Sequence, residues 1–522
     1  MTSNGTVNMT ELETFLPQDG SNLKDGGKYK INIVSKEGNH LNNHDAKAAY
    51  WDPFKERKVE HPTTDCDTLT HLLKASLGTG ILAMPYAFKN AGMSLAIILT
   101  VVVAIICTHC AYILVKCAHE LYRRTRVTAM SFPDVGEVAF ANGPAWGRRY
   151  SKLARMTIIA GLFTAYFGTC SVYTVIISEN FRQVYDNYAT EPINQRLCII
   201  SLLIPLILLT YIPNLKYLAP VSMVANLFMA VGLGITFYYL VVPGTLGSPW
   251  DLPQVGDWKN LPQFFSITIF AMEAIGVVMP LENNMKTPQH FIGICGVLNR
   301  GMGGVTMVYI LLGFLGYLKY PDDVDASITL SLPNEEIPAQ AVKILVALAV
   351  FCTYGLQYFV CLEIVWDAVK DKSKMNKTVY EYLVRTILTT TTVLLAVAVP
   401  TIGPFLGLLG AFCFSLLGLL IPAVIEIVTF WEKGVGPGRW ILWKNIFVLI
   451  FGLLALVFGS YTSIEEIAML YLKPEPVLAS GLNETVATFA NSTHNAIDSM
   501  LGLINATLAA VNSTLTNVTQ SL

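Results

Sequence analysis

The sequence predicts an all-α protein that crosses a membrane many times, and three observations lead to this fold class. The 522-residue chain is 53% apolar and only 14% charged, whereas soluble domains carry about 25% charged residues. Eleven apolar segments are each long enough to cross a bilayer, which takes about 20 mostly apolar residues. Because the bilayer interior offers no hydrogen-bond partner to an exposed backbone, a bundle of helices is the economical fold.

The apolar segments are spans 1 to 11, in chain order: 67–88, 94–117, 156–180, 197–213, 219–242, 262–281, 301–319, 338–365, 379–399, 402–428 and 441–464. They define a membrane domain over residues 63–465. Residues 1–62 are polar, rich in lysine and without the apolar core of a signal peptide, so we expect a disordered cytosolic tail. Residues 466–522 form a second polar tail. The ten cysteines follow no pattern, and we expect no structural disulfide.

Lysine and arginine predict the orientation, because loops that carry an excess of them stay in the cytosol. With residues 1–62 inside, the cytosolic loops hold nineteen of these residues, and the opposite loops together with the C-terminal tail hold six. The acidic stretch "PDDVDASITLSLPNEE" falls in an outside loop. The sequence therefore predicts a cytosolic N-terminus and an extracellular or lumenal C-terminus.

The C-terminal tail carries N-glycosylation sequons, which are used only on the extracellular or lumenal side. Their acceptor residues are Asn483, Asn491, Asn505, Asn512 and Asn517. This signal is independent of the charge bias and indicates the same orientation. We expect glycans on this tail, and none on the sequons of the cytosolic regions at Asn4, Asn8 and Asn376.

Span 1 contains a predicted break. Its sequence "HLLKASLGTGILAMPYAF" places Gly78, Thr79 and Gly80 in the middle of the apolar run and Pro85 near its end. The glycines weaken a helix, and the proline removes a backbone donor and clashes with the preceding turn. At membrane depth, freed backbone is tolerated only where it lines a cavity or is buried in protein. A simple packing kink is the alternative interpretation.

Span 6 repeats the pattern in "SITIFAMEAIGVVMPLENNM". Its Gly276 precedes Pro280, and Glu273 stands seven residues before that proline, as Gly78 stands seven before Pro85. Spans 1 and 6 are the first members of two five-span sets that run in opposite directions. Interrupted helices at corresponding places in inverted halves indicate the binding site of a transporter.

Backbone chemistry indicates the class of ligand for such a site. Amide N–H groups at the N-terminus of a half-helix suit a carboxylate. Unwound carbonyls and half-helix C-terminal ends suit an ammonium group or a cation. A ligand that carries both charges on one carbon, an α-amino acid, fits this arrangement.

The residues also carry a family resemblance. The stretches "HLLKASLGTGILAMPYAFKNAG", "HCAYILVKCAHELYRR", "ISENFRQV", "FAMEAIGVVMPLENNMK", "ITLSLPN", "FCTYGLQYFV" and "LIPAVIEI" occur in this order across about residues 60–465. Together they resemble the proton-coupled amino-acid transporters of animals, within the amino acid/auxin permease superfamily, and the insect members look most similar. The resemblance implies eleven transmembrane helices in a five-plus-five inverted repeat of the bacterial leucine transporter type, with discontinuous helices 1 and 6.

The resemblance further implies symport of small zwitterionic amino acids with a proton. It assigns the family's span-1 histidine to His71, its unwound turn to Gly78–Gly80 and the acidic residue of its span-6 break to Glu273. The candidate substrate-binding residues are therefore those in and beside the breaks, with a tyrosine of span 8: Ser76, Gly78, Thr79, Gly80, Phe270, Met272, Glu273, Gly276 and Tyr354.

His71 and Glu273 are the candidate proton-coupling residues, because ionisable groups inside a membrane are costly and mostly functional. Histidine titrates near physiological pH. A neutral His71 that bonds a neighbouring helix is the structural alternative, as is a protonated Glu273 that braces the break. For Lys74 we expect a side chain that extends to the membrane interface.

Three functions follow as hypotheses. The first is a transporter of small amino acids such as alanine, glycine and proline, driven by protons or uncoupled. The second is an amino-acid sensor that signals through a cytosolic partner of residues 1–62. The third, an ion channel, is disfavoured because no span carries the charged rings or carbonyl motif of a filter. Nothing in the sequence resembles an enzyme domain or a metal, cofactor or nucleic-acid site, so we expect none of these. The lack of a clear sorting signal favours the plasma membrane, with the late endosome or lysosome as the alternative.

We predict that the end of the C-terminal tail is a helix. Apolar residues recur in steps of four and three from Ile497 to Leu522, and this spacing places one apolar stripe on a helix. Hydrogen exchange on the intact glycosylated protein should therefore show protected amides over residues 497–518. A flexible glycosylated tail is the competing interpretation, since an isolated helix of this length is marginal in water. Exchange at unprotected rates throughout 497–518 would rule the helix out.

Overall fold

The computed structural model describes residues 52–59, 62–212, 215–242, 247–272, 274–370, 376–434 and 436–472. Several predictions lie outside these residues: the cytosolic tail up to Trp51, the sequon-bearing tail with its helix, and Glu273 in the break of span 6. The chain divides into a unit from Met1 to Ser463 and a unit from Ile464 to Leu522. In the second unit, the described residues are the last turns of one helix.

Within the described residues every regular element is a helix, and the β-type pairing is limited to one parallel bridge between Thr63 and Met285. The α-helices are α1 (Pro53–Glu56), α2 (Asp65–Ser76), α3 (Met84–Ala91), α4 (Met93–Thr125), α5 (Phe132–Ala141), α6 (Ala145–Arg148), α7 (Ser151–Asp186), α8 (Gln195–Ser201), α9 (Leu203–Thr210), α10 (Leu215–Val241), α11 (Leu261–Met272), α12 (Ile275–Asn284), α13 (Val297–Lys319), α14 (Ile337–Val369), α15 (Lys377–Ala398), α16 (Ile402–Leu408), α17 (Ile421–Phe430) and α18 (Trp440–Leu472). Short 3₁₀ helices lie at Thr79–Ala83, Pro249–Asp251, Pro288–His290, Ile328–Ser331, Trp431–Lys433 and Pro437–Arg439, and a π-helix lies at Leu409–Leu420.

Nine of the predicted spans are helices long and apolar enough to cross a membrane, counted over the part of the chain that the structure describes. These are Met93–Thr125, Ser151–Asp186, Met223–Val241, Leu261–Asn284, Val297–Lys319, Ile337–Val369, Lys377–Ala398, Ile402–Lys433 and Trp440–Leu472. Spans 1 and 4 are helical but divided, into α2 and α3 and into α8 and α9. The all-helical, multi-pass membrane class is confirmed. The eleven-span count stays a prediction.

The local sequence explains how span 1 begins and breaks. Thr64 and Asp67 form a capping box in which the Thr64 hydroxyl accepts from the Asp67 amide at 3.2 Å and the Asp67 carboxylate accepts from the Thr64 amide at 3.1 Å. The helix stops before Gly78, which has an extended backbone. Pro85 lies in the first turn of α3, where a helix needs no N–H donor. The expectation that Pro85 itself disrupts the span was wrong: the glycine turn makes the break, and the proline starts the next helix.

The interrupted helices lie deep in the bundle. α13 packs against α2, α3 and α4, while α11 packs against α3, α16 and the π-helix. In the α11–α12 pair, 71% of the most apolar 18-residue stretch is buried inside the protein. The corresponding share in α18 is 22%. Span 6 is therefore enclosed by protein, as a helix with freed backbone at membrane depth has to be.

The π-helix of span 10 meets α11 through a close backbone approach. A Cβ atom built on Gly410 would lie 1.9 Å from the carbonyl oxygen of Ser266. A backbone atom cannot move aside as a flexible side chain can, so the contact requires glycine. Ser415 completes the local arrangement, because its hydroxyl donates to the Gly410 carbonyl at 3.2 Å.

We expect Gly410→Ala to destabilise the protein by at least about 1–3 kcal/mol, the usual cost of an overpacked core. The measurement is thermal unfolding of the detergent-purified protein, in which the midpoint should fall. Gly234→Ala in α10 is the matched control, since a Cβ there would meet nothing within 4 Å, and its midpoint should stay the same or rise. Equal midpoints for both variants would contradict the close approach.

Candidate functional site

Both interrupted helices break where their sequences predict. In span 1, α2 ends at Ser76, the Leu77 amide donates to the Leu73 carbonyl at 2.8 Å, and a 3₁₀ turn begins at Thr79. In span 6, α11 ends at Met272 and α12 begins at Ile275. Each span thus supplies the C-terminal end of one half-helix and the start of another.

The two breaks pack against each other. A Cβ atom built on Gly80 would lie 2.6 Å from the Cα atom of Ala271, the residue before the last of α11. Thr79, Gly80 and Ala271 are all buried. The glycine of the span-1 turn therefore allows the two backbones to touch.

Tyr309 of α13 connects the breaks. Its hydroxyl contacts the carbonyl oxygen of Ser76, the last residue of α2, and lies 2.9 Å from the carbonyl oxygen of Ala271 in α11. The side chain is fully buried. Because a hydroxyl has one proton to donate, Tyr309 serves one carbonyl at a time, and the other oxygen keeps its lone pairs for a different donor.

These half-helix ends offer complementary partial charges to a ligand. The carbonyl ends of α2 and α11 carry partial negative charge, and the starts of the 3₁₀ turn and of α12 carry partial positive charge. Such an arrangement accepts an ammonium group on one side and a carboxylate on the other.

Polar side chains of neighbouring helices surround the turn of span 1. The Tyr173 hydroxyl on α7 lies near the side chains of Thr79 and Gln357. The buried Ser76 hydroxyl lies 3.9 Å from the Met302 sulfur on α13. Spans 3, 7 and 8 thus contribute side chains around the break.

The predicted site residues of span 6 lie among aromatic rings. Phe270 is buried, with its ring centroid 5.5 Å from that of Phe414 in the π-helix. Met272 is buried at the end of α11. A Cβ atom built on Gly276 would lie 2.2 Å from the Tyr166 hydroxyl oxygen, so α7 presents a second tyrosine to the start of α12.

Tyr354 has a partner away from the breaks. Its hydroxyl shares a hydrogen bond with Thr392 of α15 at 2.8 Å, and its ring stacks with Tyr358 at 5.9 Å. The hydrogen bond and the ring stack of Tyr354 thus lie within spans 8 and 9. Its neighbour Gln357 is the span-8 residue that reaches the break, through Tyr173.

The structure describes one of the two predicted proton-coupling residues. His71 is half-buried on α2, one turn from Asp67, which it influences electrostatically. Lys74 is exposed. Glu273 lies outside the described residues. A role for His71 and Glu273 in proton coupling stays a prediction.

The loop between α13 and α14 covers one end of the site. Its 3₁₀ helix Ile328–Ser331 is mostly buried against α7, α14 and the turn of span 1. Thr329 donates to the Asn180 side chain at 3.1 Å, and the buried Lys343 donates to the Leu332 carbonyl at 3.3 Å and to Asn334. In this loop, burial raises the pKa of the Asp325 carboxyl, and Glu179 adds to the rise.

Two buried carboxylates that the sequence reading missed lie at the other end. Glu426 of α17 accepts from Lys444 at 2.6 Å and Asn445 at 2.8 Å, and pairs with Lys116 at 3.4 Å. Glu282 of α12 accepts from His119 and Arg57. Span 6 was predicted to end at 281, and Glu282 was not singled out. Among the described residues, no cluster of histidine, cysteine and acidic side chains could hold a metal ion.

Comparison with known proteins gives the family. The family model described as "Transmembrane amino acid transporter protein" matches residues 61–465. A Drosophila melanogaster protein, "Proton-coupled amino acid transporter-like protein pathetic", is 56% identical over 473 residues, which are 90% of this chain and 97% of that protein. A Caenorhabditis elegans protein, "Probable amino acid transporter skat-1", is 23% identical over 463 residues, which are 85% of this chain and 98% of that protein.

Among solved structures, one described as "Inward facing conformation of Mhp1" aligns with 83% of this chain and 96% of its own, at 15% identity and a TM-score of 0.44. The resemblance to insect transporters noted from the sequence agrees with the Drosophila relative. The chain is a multi-pass membrane protein that belongs to the transmembrane amino acid transporter family, a family of transporters and not of enzymes.

Proposed function

We propose that this protein is a secondary active transporter that carries small neutral amino acids, such as alanine, glycine and proline, in symport with protons. The observation that carries the proposal is the pair of interrupted helices that pack break to break, with half-helix carbonyl ends on both sides of Tyr309. Interrupted helices in corresponding positions are the usual binding site of a secondary transporter. The proton-coupled name of the Drosophila relative supports the coupling.

The substrate class follows from the size and charge of this region. A zwitterion places its ammonium group near the Ser76 and Ala271 carbonyls and its carboxylate near the start of the 3₁₀ turn or of α12. The backbones of Gly80 and Ala271 already touch, and Phe270 and Met272 are buried beside them. Close packing favours a small side chain, since extra volume in a packed interior is costly.

The proposal includes the finer architecture of eleven spans in two inverted sets of five. It is supported by the break in span 1, which opens the first set, and the break in span 6, which opens the second. An odd number of spans in each set makes the two broken helices run in opposite directions. Alternating access then amounts to movement of the half-helices and the surrounding bundle about a fixed site.

Orientation and location are also proposed. The excess of lysine and arginine in one set of loops and the sequons of the C-terminal tail support a cytosolic N-terminus. The proposed location is the plasma membrane, with the late endosome or lysosome as the alternative. A sensor that signals through a cytosolic partner, and an uncoupled facilitator, are the competing functions.

Uptake by the purified protein in proteoliposomes tests the proposal. Radiolabelled alanine or proline should enter faster at an outside pH of about 5.5 than at about 7.5, the range over which histidine titrates. Replacing sodium should change nothing. Equal uptake at both pH values would indicate an uncoupled facilitator. Saturable binding with negligible flux would instead identify a sensor.

We expect Tyr309→Phe to raise the apparent KM for alanine about tenfold, which corresponds to about 1.4 kcal/mol. The change removes the hydroxyl that holds the carbonyl ends of α2 and α11 beside each other, so the acceptors proposed for the ammonium group lose their position. A hydrogen bond lost in this way costs about 0.5–1.5 kcal/mol. The measurement is concentration-dependent uptake in proteoliposomes. Tyr238→Phe is the control, because that side chain is 55% exposed on α10. An unchanged KM and maximal rate for Tyr309→Phe would contradict the proposed role.

A further inference from the structure

A buried ionic cluster joins the chain before span 1 to the second half of span 6. Its members, which we call the Glu282 cluster, are Arg57 of the segment after α1, His119 and Tyr122 of α4, and Glu282 of α12. The side chains of Arg57 and Glu282 are 4% and 0% exposed, and that of His119 is 9% exposed. Burial to this degree makes the charge balance of the cluster decisive for its stability.

Every member contacts the Glu282 carboxylate. Its Oε1 atom lies 3.1 Å from Arg57 Nη1 and 2.9 Å from His119 Nε2. Its Oε2 atom accepts from the Tyr122 hydroxyl at 3.0 Å. With a neutral His119 that donates from Nε2, the guanidinium and the carboxylate balance, and the cluster carries no net charge.

The cluster holds the N-terminal segment against two membrane helices. Arg57 Nη1 also donates to the Glu282 backbone carbonyl at 3.0 Å, and Arg57 Nε donates to the Thr128 carbonyl at 2.7 Å. The Phe54 ring meets His119 edge-on, with centroids 4.9 Å apart. Farther along, the Thr63 amide donates to Asn284 at 2.8 Å. Phe54, Arg57 and Thr63 are thus fastened to the ends of α4 and α12.

The position of Glu282 connects this fastening to the candidate substrate site. α12 begins at Ile275, directly after the break, and Glu282 is two helical turns farther on, about 10 Å at the rise of an α-helix. A change at Glu282 therefore acts on the same rigid half-helix whose first residues border the break.

We propose that His119 binds the transported proton and that its protonation releases the N-terminal segment from α12. The inference rests on the proposed function, since it names the proton site of that transporter. It differs from the sequence-based assignment, which places the proton on His71 or Glu273.

Charge balance gives the physical reason. Protonation of His119 puts two cations, His119 and Arg57, on one buried carboxylate and leaves an uncompensated positive charge. A buried charge without a partner is strongly unfavourable. Arg57 directly follows the short helix α1, whose Lys55 and Glu56 are exposed, so it can relieve the imbalance by moving into water. The segment then leaves α12, and this end of the bundle is free to open.

Several other charged groups on the packed elements have partners of their own. Asp65 of α2 pairs with His290 at 2.8 Å, Glu120 of α4 pairs with Arg124 and Lys433, and Asp134 of α5 pairs with Arg155. Lys116 of α4 pairs with Glu426 of α17. The neutral Asn283 side chain places its amide oxygen 3.1 Å from the Tyr122 hydroxyl, so it shares the one hydroxyl proton with Glu282. Within the described residues, His119 is the histidine in contact with Glu282.

The first test is hydrogen exchange of the full-length protein in nanodiscs, followed on the peptide that covers residues 52–63. In the wild type, the protection factor, corrected for intrinsic exchange, should fall at least about tenfold from about pH 7.5 to about 5.5, the range of histidine titration. His119→Gln keeps a donor but cannot take up a proton in this range, and the segment should stay protected at both pH values. Glu282→Gln removes the counter-charge of Arg57, and the segment should exchange rapidly at both.

Glu120→Gln is the matched control. Glu120 is adjacent to His119 in α4 but pairs with Arg124 and Lys433, so this variant should keep the wild-type pH dependence. Thermal unfolding verifies that each variant is folded, and His119→Gln alone decides the outcome should Glu282→Gln fail to fold. A wild-type pH dependence of exchange in His119→Gln would overturn the proposal and leave the cluster a structural brace.

The second test measures uptake in proteoliposomes. His119→Gln should lose acid stimulation of alanine uptake, whereas Glu120→Gln should retain it. Loss of acid stimulation in His71→Gln together with its retention in His119→Gln would overturn the proposal in favour of the span-1 histidine. Hydrogen exchange is measured in the absence of transport, so the two tests are independent. Absence of acid-stimulated uptake in the wild type would refute proton symport. The exchange result would still decide whether His119 controls the N-terminal segment.

Discussion

The structure depends on how broken backbone is satisfied at membrane depth. A continuous helix pairs its own amides and carbonyls, but each interruption leaves groups that lipid cannot serve. Spans 1 and 6 are interrupted. Both breaks are buried in the protein, and the Tyr309 hydroxyl lies between the carbonyl ends of their half-helices. The rest of the bundle follows from this need: α13 has to lie beside both broken helices, and glycine has to stand where their backbones meet.

Polar groups are distributed to match this centre. Around the breaks the partners are neutral hydroxyls and amides, such as those of Tyr173, Thr79 and Gln357. Buried charges are kept toward the ends of the bundle, with Lys343 beneath one loop and the Glu282 and Glu426 carboxylates at the opposite end. Ionic contacts at the two ends of the bundle are suited to holding the helices together there.

The sequence predicts the elements of this structure better than their partners. The breaks were predictable because Gly78, Gly80 and Gly276 interrupt otherwise apolar runs, although Pro85 proved to start a helix. No sequence pattern singled out Tyr309, because it lies in a continuous span and its contacts are with helices that are distant in sequence. Tyr354 was predicted to bind substrate, and that role stays a prediction; its hydrogen bond to Thr392 was not predictable, because a sequence pattern does not say which neighbouring helix a side chain meets. The Glu282 cluster joins residues up to 225 positions apart, and no local pattern announces such a contact.

The π-helix Leu409–Leu420 makes span 10 shorter than a regular α-helix of the same number of residues would be. A helix closed by i to i+5 bonds holds more residues in a given length than one closed by i to i+4 bonds. If this stretch tightens into an α-helix, span 10 grows longer and its side chains rotate about the axis. Phe414, which now meets Phe270 edge-on, would turn away from span 6. The winding of one helix would thus change the surroundings of Phe270 in the candidate site.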